Sequence, residues 1–187
     1  MNILSNEDYE WVEQKVLELF EDYGVKEFPI DPDELIRKMD IVLKPYSEFG
    51  LAKYVKLSKG CPDGFNYFDR DICKHVICFN DFQDPRRIRQ TKMHEIGHIY
   101  TGRNSDSDED EAIAIYFAGY SLCPTPILIA FDLDNPLTIQ KLFNISDQAT
   151  EVAINKTDFR MCFGKSCFSS TERNIVNQFK NFMKGGV

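Results

Sequence analysis

Two of the chain's three histidines, His94 and His98, stand four residues apart, and Glu95 follows the first. On a helix, positions i and i+4 leave the same face, so both imidazoles point the same way. That spacing lets one Zn²⁺ take both rings at about 2.0–2.1 Å. Glu95, one position on, reaches a water on the metal without being a ligand itself. The chemistry this grouping suits is attack of an activated water on a peptide carbonyl. Such a site needs a third protein ligand and an open fourth position. Glu111 is the candidate, because it heads an apolar stretch that runs to Cys123. A carboxylate at the start of an apolar face needs a charge partner, and zinc would supply one. The competing reading is a first-turn Glu favoured by the helix dipole, which is how Asp108, Glu109 and Asp110 are read.

The elements that must hold these residues follow from their flanks. Asp84-Pro85 is a helix start, with Asp as N-cap and Pro at the first position, and Gly102 closes a helix spanning residues 85–101. Gly97 weakens that helix relative to Ala but leaves room between the two histidines. Ser107-Asp108-Glu109-Asp110 caps a second helix that Pro124 stops. It reads as apolar nearly all round and therefore buried, with Glu111 sharing a face with Ile115, Ala118 and Leu122. Upstream, residues 6–23 form an amphipathic helix through Val12, Val16, Leu19, Phe20 and Tyr23. Residues 32–39 form a short helix capped by Asp31, with Glu34 completing a capping box. Residues 41–46, 51–57, 65–68 and 75–80 read as strands around a Lys59–Gly64 turn. The fold class is α+β: a small antiparallel sheet packed beside the helix that carries the histidines, with a helical C-terminal part.

These residues carry a family resemblance. The His94-Glu95-Ile96-Gly97-His98 helix, the acidic gap and the second helix ending in Leu122-Cys123-Pro124 resemble the ImmA/IrrE metallopeptidases. In that family the third ligand is a Glu thirteen residues before the closing Pro, and counting back from Pro124 reaches Glu111. Phe117-Ala118, the strand Val76–Asn80, the Arg86–Thr91 lead and Asp31–Leu35 are also similar. The resemblance covers roughly residues 28–125. It implies a zincin-like fold with Zn²⁺ on His94, His98 and Glu111, and Glu95 as the catalytic base activating a zinc-bound water. It further implies a site-specific endopeptidase of bacterial or phage origin that cleaves a helix–turn–helix repressor of a mobile element or stress response. A sheet edge would hold the substrate extended. Where the family often has Asn and Met, this chain has Ile115 and Cys123.

Composition fits that picture. The formal net charge of −8 over 187 residues weighs against a nucleic-acid binder. No apolar run approaches the roughly 20 residues of a membrane span, and the acidic N-terminus lacks a signal-like core, so a cytoplasmic protein is expected. The six cysteines form no C-x-x-C pair and are expected as reduced thiols. A second metal site from Cys73, His75, Cys78, Cys162 and Cys167 has poor spacing. The expected organisation is a peptidase domain over residues 1–125 and a helical extension over 126–187. Leu137–Asn155 reads helix–turn–helix, but Asp147, Gln148 and Glu151 on its second helix suit packing or substrate docking better than DNA. Ser169–Glu172 caps a last helix to Lys184. The alternatives are a zinc-binding regulatory module that binds a partner without cutting it, and a DNA-binding regulator with a vestigial zinc fold.

Overall fold

A computed structural model of the chain describes residues 3–105, 107–162 and 167–185. Asp106, in the acidic connector read from the sequence, lies outside the described residues. The chain gathers into two compact units, one of residues 31–118 and one of residues 1–30 with 119–187.

The 31–118 unit opens with α2 (Pro32–Lys38). Asp31 caps it by accepting from the Asp33 N–H at 2.9 Å. Glu34 completes no capping box. Its exposed carboxylate turns forward one turn to Lys38 Nζ at 2.7 Å. The chain continues through β1 (Val42–Pro45), a 3-10 turn at Tyr46–Phe49, α3 (Leu51–Gly60), β2 (Gly64–Asp69) and β3 (Lys74–Phe79). Residues 51–57, expected as a strand, are helical. Tyr54, Leu57 and Ser58 are the half-buried positions, spaced by three and four, and Ser58 Oγ donates to the Tyr54 carbonyl. Lys53 and Val55, which suggested alternation, are exposed.

The sheet has the order β1-β3-β2 and is mixed, not antiparallel throughout. β2 and β3 form an antiparallel hairpin, whereas β1 runs parallel to β3. The crossing through α3 explains this, because a parallel neighbour needs an intervening element whereas a hairpin does not. Alternation then sorts the two faces. Phe65, Tyr67, Val76 and Cys78 pack with Tyr46, Tyr54 and Leu57 on one side. Gly64, Asn66, Ile77 and Phe79 face α4 (Pro85–Thr101) on the other. A Cβ on Gly64 would lie 2.7 Å from Thr91 Cγ2 of α4 and 2.8 Å from the Cys78 carbonyl oxygen, so only glycine fits. Buried Lys92 joins the layers, with its ammonium 2.6 Å from Asp33 Oδ1 and 4.3 Å from the Phe79 ring centre.

The other unit is helical: α1 (Asn6–Asp22), α6 (Thr125–Ala130), α7 (Pro136–Phe143), α8 (Asp147–Cys162) and α9 (Ser170–Lys184). The α1 stripe of Val12, Val16, Leu19 and Phe20 is fully buried, and Phe20 meets Phe179 of α9 edge-on at 5.4 Å. Phe28 stacks on Phe179 at 4.2 Å. Ser169 and Glu172 cap α9 reciprocally. Arg160 of α8 pairs with the buried Glu172 carboxylate.

α5 (Asp108–Leu122) precedes α6, and together they form an apolar stretch, Asp108–Ala130, long enough by length and composition to cross a membrane. This stretch corrects the expectation that no apolar run approaches the length of a membrane span. Two thirds of its most apolar window (67%) is buried, as in a core helix.

Candidate metal centre

α4 carries the two histidines. Its ends are set as the sequence predicts: Asp84 Oδ1 accepts from the Arg86 N–H at 2.9 Å, and Gly102 turns left-handed at φ 69°. Arg87 anchors the first turn to Asp63 beside β2 through two hydrogen bonds of 2.6 and 2.9 Å. Within the helix, His94 Nε2 and His98 Nε2 lie 3.1 Å apart.

Glu111 reaches both rings from α5, with Oε2 3.4 Å from His94 Nε2 and Oε1 3.2 Å from His98 Nε2. Ser107 starts α5 by accepting from the Asp110 N–H, and Asp110 accepts from the Ser105 N–H and hydroxyl. Those hydrogen bonds hold the Asp110 carboxyl below the usual carboxylate range. α5 is not buried all round: Ala118 and Leu122 are buried, but Glu111 and Ile115 are exposed and line a cleft. Gly97 sits where α4 meets α5. A Cβ there would lie 3.0 Å from Phe117 Cδ1 and 3.3 Å from Phe117 Cβ. The crowding is against a side chain of α5.

The donor set fits a cation. His98 Nδ1 lies 2.6 Å from the Arg103 carbonyl oxygen, and only an N–H can face a carbonyl. With the hydrogen on Nδ1, Nε2 is the ring nitrogen left to offer a lone pair towards His94 and Glu111. Two ring nitrogens and a carboxylate gathered within 4.8 Å need a positive charge among them. Among the described residues no other group of His, Cys, Asp and Glu gathers this way. Cys73, Cys162 and Cys167 are exposed free thiols, and Cys78 and Cys123 are buried. Burial pushes the Cys78 thiol up to about 11, so it stays protonated.

Glu95 lies beside the triad and is 5% exposed. Burial raises its carboxyl above the usual range, and a hydrogen bond from Asn66 Nδ2 to Oε2 at 2.7 Å partly offsets that. Burial, and next the neighbouring His98, hold the His94 imidazole below its ordinary value. The cleft has a volume of about 540 Å³ and is walled by β2, α4, the α4–α5 loop and α5. Tyr100 and Tyr116, near the site in sequence, do not line it. Asn66 and Asn104 line it, and no motif in the sequence marks them. The helix-facing side of β2 was the only signal for Asn66.

A family model described as the IrrE N-terminal-like domain, of the peptidase M78 class, matches residues 47–155, a span that contains every residue of the cleft. No curated protein matches the chain.

Proposed function

The chain belongs to the IrrE N-terminal-like peptidase family, and from that premise we propose a zinc-dependent, site-specific endopeptidase that cleaves a helix–turn–helix transcriptional repressor. The observation that carries the reading is the convergence of His94 Nε2, His98 Nε2 and the Glu111 carboxylate, with Glu95 beside them. His94, His98 and Glu111 would hold the metal. Zinc supplies, when bound, a Lewis acid that lowers the pKa of water toward about 7.

The protein's own groups do the rest. The Arg103 carbonyl fixes the His98 tautomer, and outer partners of this kind orient the metal's ligands. Glu95 has Oε2 occupied by Asn66, which leaves Oε1 to take the proton of the attacking water and deliver it to the leaving amine. β2 is an edge strand and its outer side bears no strand among the described residues. An extended peptide added there would run past Asn66 toward Glu95, with backbone bonds giving affinity and the cleft giving specificity. A cytoplasmic setting belongs to the proposal, since that is where a repressor is met.

The test starts with metal content of wild type, His94→Ala, Glu95→Gln and Glu111→Ala. One zinc per chain is expected in wild type and Glu95→Gln, and weak or no binding in the ligand variants. Purified repressor is then incubated with each protein and read by mass spectrometry. A single cut made by wild type and not by Glu95→Gln is expected. Wild type that takes up no zinc refutes the proposal. Zinc uptake and repressor binding without a cut would favour the non-cleaving regulatory module.

A further inference from the structure

Asn66 lies midway along β2, opposite Ile77, on the face turned to α4. Its side-chain amide spends both donors and accepts one bond. Nδ2 donates to Glu95 Oε2 at 2.7 Å and to Asn104 Oδ1 at 3.2 Å, and Oδ1 accepts from Asn104 Nδ2 at 3.1 Å. A primary amide has two N–H donors, and both are used. The carboxylate also fixes which way round the amide sits. Turned over, Oδ1 would face a carboxylate oxygen, acceptor against acceptor. Asn104 braces the amide through a reciprocal head-to-tail pair, and the Glu95 carboxylate selects the orientation of that pair.

The partner so held is the one side chain in the cleft expected to move a proton. Glu95 is buried, so its bond from Asn66 is less exchangeable with water than one at the surface. Asn104 stands next to Arg103, whose carbonyl holds His98. The α4–α5 loop thus touches a metal-facing ring directly and reaches Glu95 through Asn66. From this geometry we propose that Asn66 is a positioning residue for Glu95: its amide, braced by Asn104, holds Oε2 and leaves Oε1 to receive the proton. The inference rests on the peptidase reading of the cleft.

The alternative is that Asn66 merely ties β2 to α4. Two readouts separate these. Zinc-loaded wild type, Asn66→Ala, Glu95→Gln and the double variant are titrated calorimetrically with acetohydroxamic acid. This probe chelates through two oxygens and gives up its hydroxamic O–H proton to a base at the site. The same proteins are also assayed for kcat and KM on the purified repressor of the cleavage test.

Asn66→Ala should weaken acetohydroxamate about tenfold and lower kcat about 10–100-fold, the usual effect of losing an outer partner. KM, zinc content and thermal midpoint should stay put. On the Glu95→Gln background the same change should add nothing, because the two residues act as one unit. Asn66→Asp, which sets a carboxylate against Glu95, should fall at least as far as Asn66→Ala. Full additivity with Glu95→Gln, or an effect confined to KM or stability, overturns the inference while the peptidase reading stands. If wild type cleaves no repressor, the acetohydroxamate arm decides. If wild type takes up no zinc, both fall together.

Discussion

Replacing Gly97 by alanine sets two opposing effects against each other. In a helix interior, Gly to Ala stabilises by about 0.8–1.0 kcal/mol through propensity alone. Here the added methyl would stand 3.0 Å from Phe117 Cδ1 and 3.3 Å from both Cβ and Cγ. Carbon atoms rest at about 3.5–4.0 Å, so the shortfall is roughly half an ångström. Phe117 is fully buried, and two of the three contacts are close to its backbone, so turning the ring does not clear them. Over-packing of this kind costs about 1–3 kcal/mol. The net expectation is a loss of up to about 2 kcal/mol, or a midpoint drop of at most about 8 °C at roughly 2–4 °C per kcal/mol for a chain of this size. The larger effect falls on the metal. Glu111 rides on the same helix as Phe117, and ligand distances tolerate only about ±0.2 Å. Pushing α5 away should therefore weaken zinc by about tenfold or more, the scale of loss for a disturbed coordination shell. Chelator competition at neutral pH gives the affinity, and calorimetry of the metal-free protein gives the midpoint. A raised midpoint with unchanged zinc affinity would refute the reasoning, because propensity would then act without resistance from Phe117.

Other expectations follow from the same structure. Gly64→Ala drives a methyl into the Cys78 carbonyl and Thr91, and should lower stability in urea by about 2 kcal/mol or more; an unchanged midpoint would mean that β2 shifts freely. Glu172 is buried, which opposes ionisation, yet bonds from Arg160 and Ser169 hold its carboxyl below its ordinary value. Its contribution should be present above about pH 4.5, fade as pH falls through the lower folded value, and be missing at all pH in Glu172→Gln, with a loss of roughly 3 kcal/mol at pH 7; parallel pH–stability curves for the two proteins would contradict this. Zinc at a hundredfold excess over its dissociation constant should stabilise wild type and Glu95→Gln by about 2.7 kcal/mol. EDTA should reverse the shift, and Glu111→Ala should show little of it; equal shifts in all three proteins would place the metal elsewhere.

The parts of this fold that were legible in the sequence are those whose instructions are local. Asp84, Pro85 and Gly102 set the ends of α4, and Ser169 with Glu172 sets the start of α9, because each acts within a turn of itself. Strand direction is not local. Nothing in Val42–Pro45 says that β1 runs parallel to β3; the crossing through α3 decides it. Residues 51–57 misled because Leu, Lys and Val at alternate positions imitate a period of two, while Tyr54, Leu57 and Ser58 carry the helical period that packing uses. Two histidines four apart advertise their meeting point in the sequence. The Asn66 contacts do not, since they close over 29 and 38 residues between amides that look like any polar strand and loop positions. Ile115 shows the same limit: an apolar residue in an apolar run read as buried, yet it is 59% exposed where α5 borders the cleft.

The helical unit draws on both ends of the chain, and this matters during synthesis. α1 leaves the ribosome well before α9, which covers Phe20. At about 5–20 residues per second the wait is on the order of ten seconds or more. Throughout it, Val12, Val16, Leu19 and Phe20 have no α9 to cover them, while every residue of the 31–118 unit is already made before α6 begins. The nascent chain thus contains every residue of the cleft while α1 is still open to a chaperone. Cutting the chain short before α9 would leave that stripe uncovered for good, and such fragments should be drawn into aggregates or degraded.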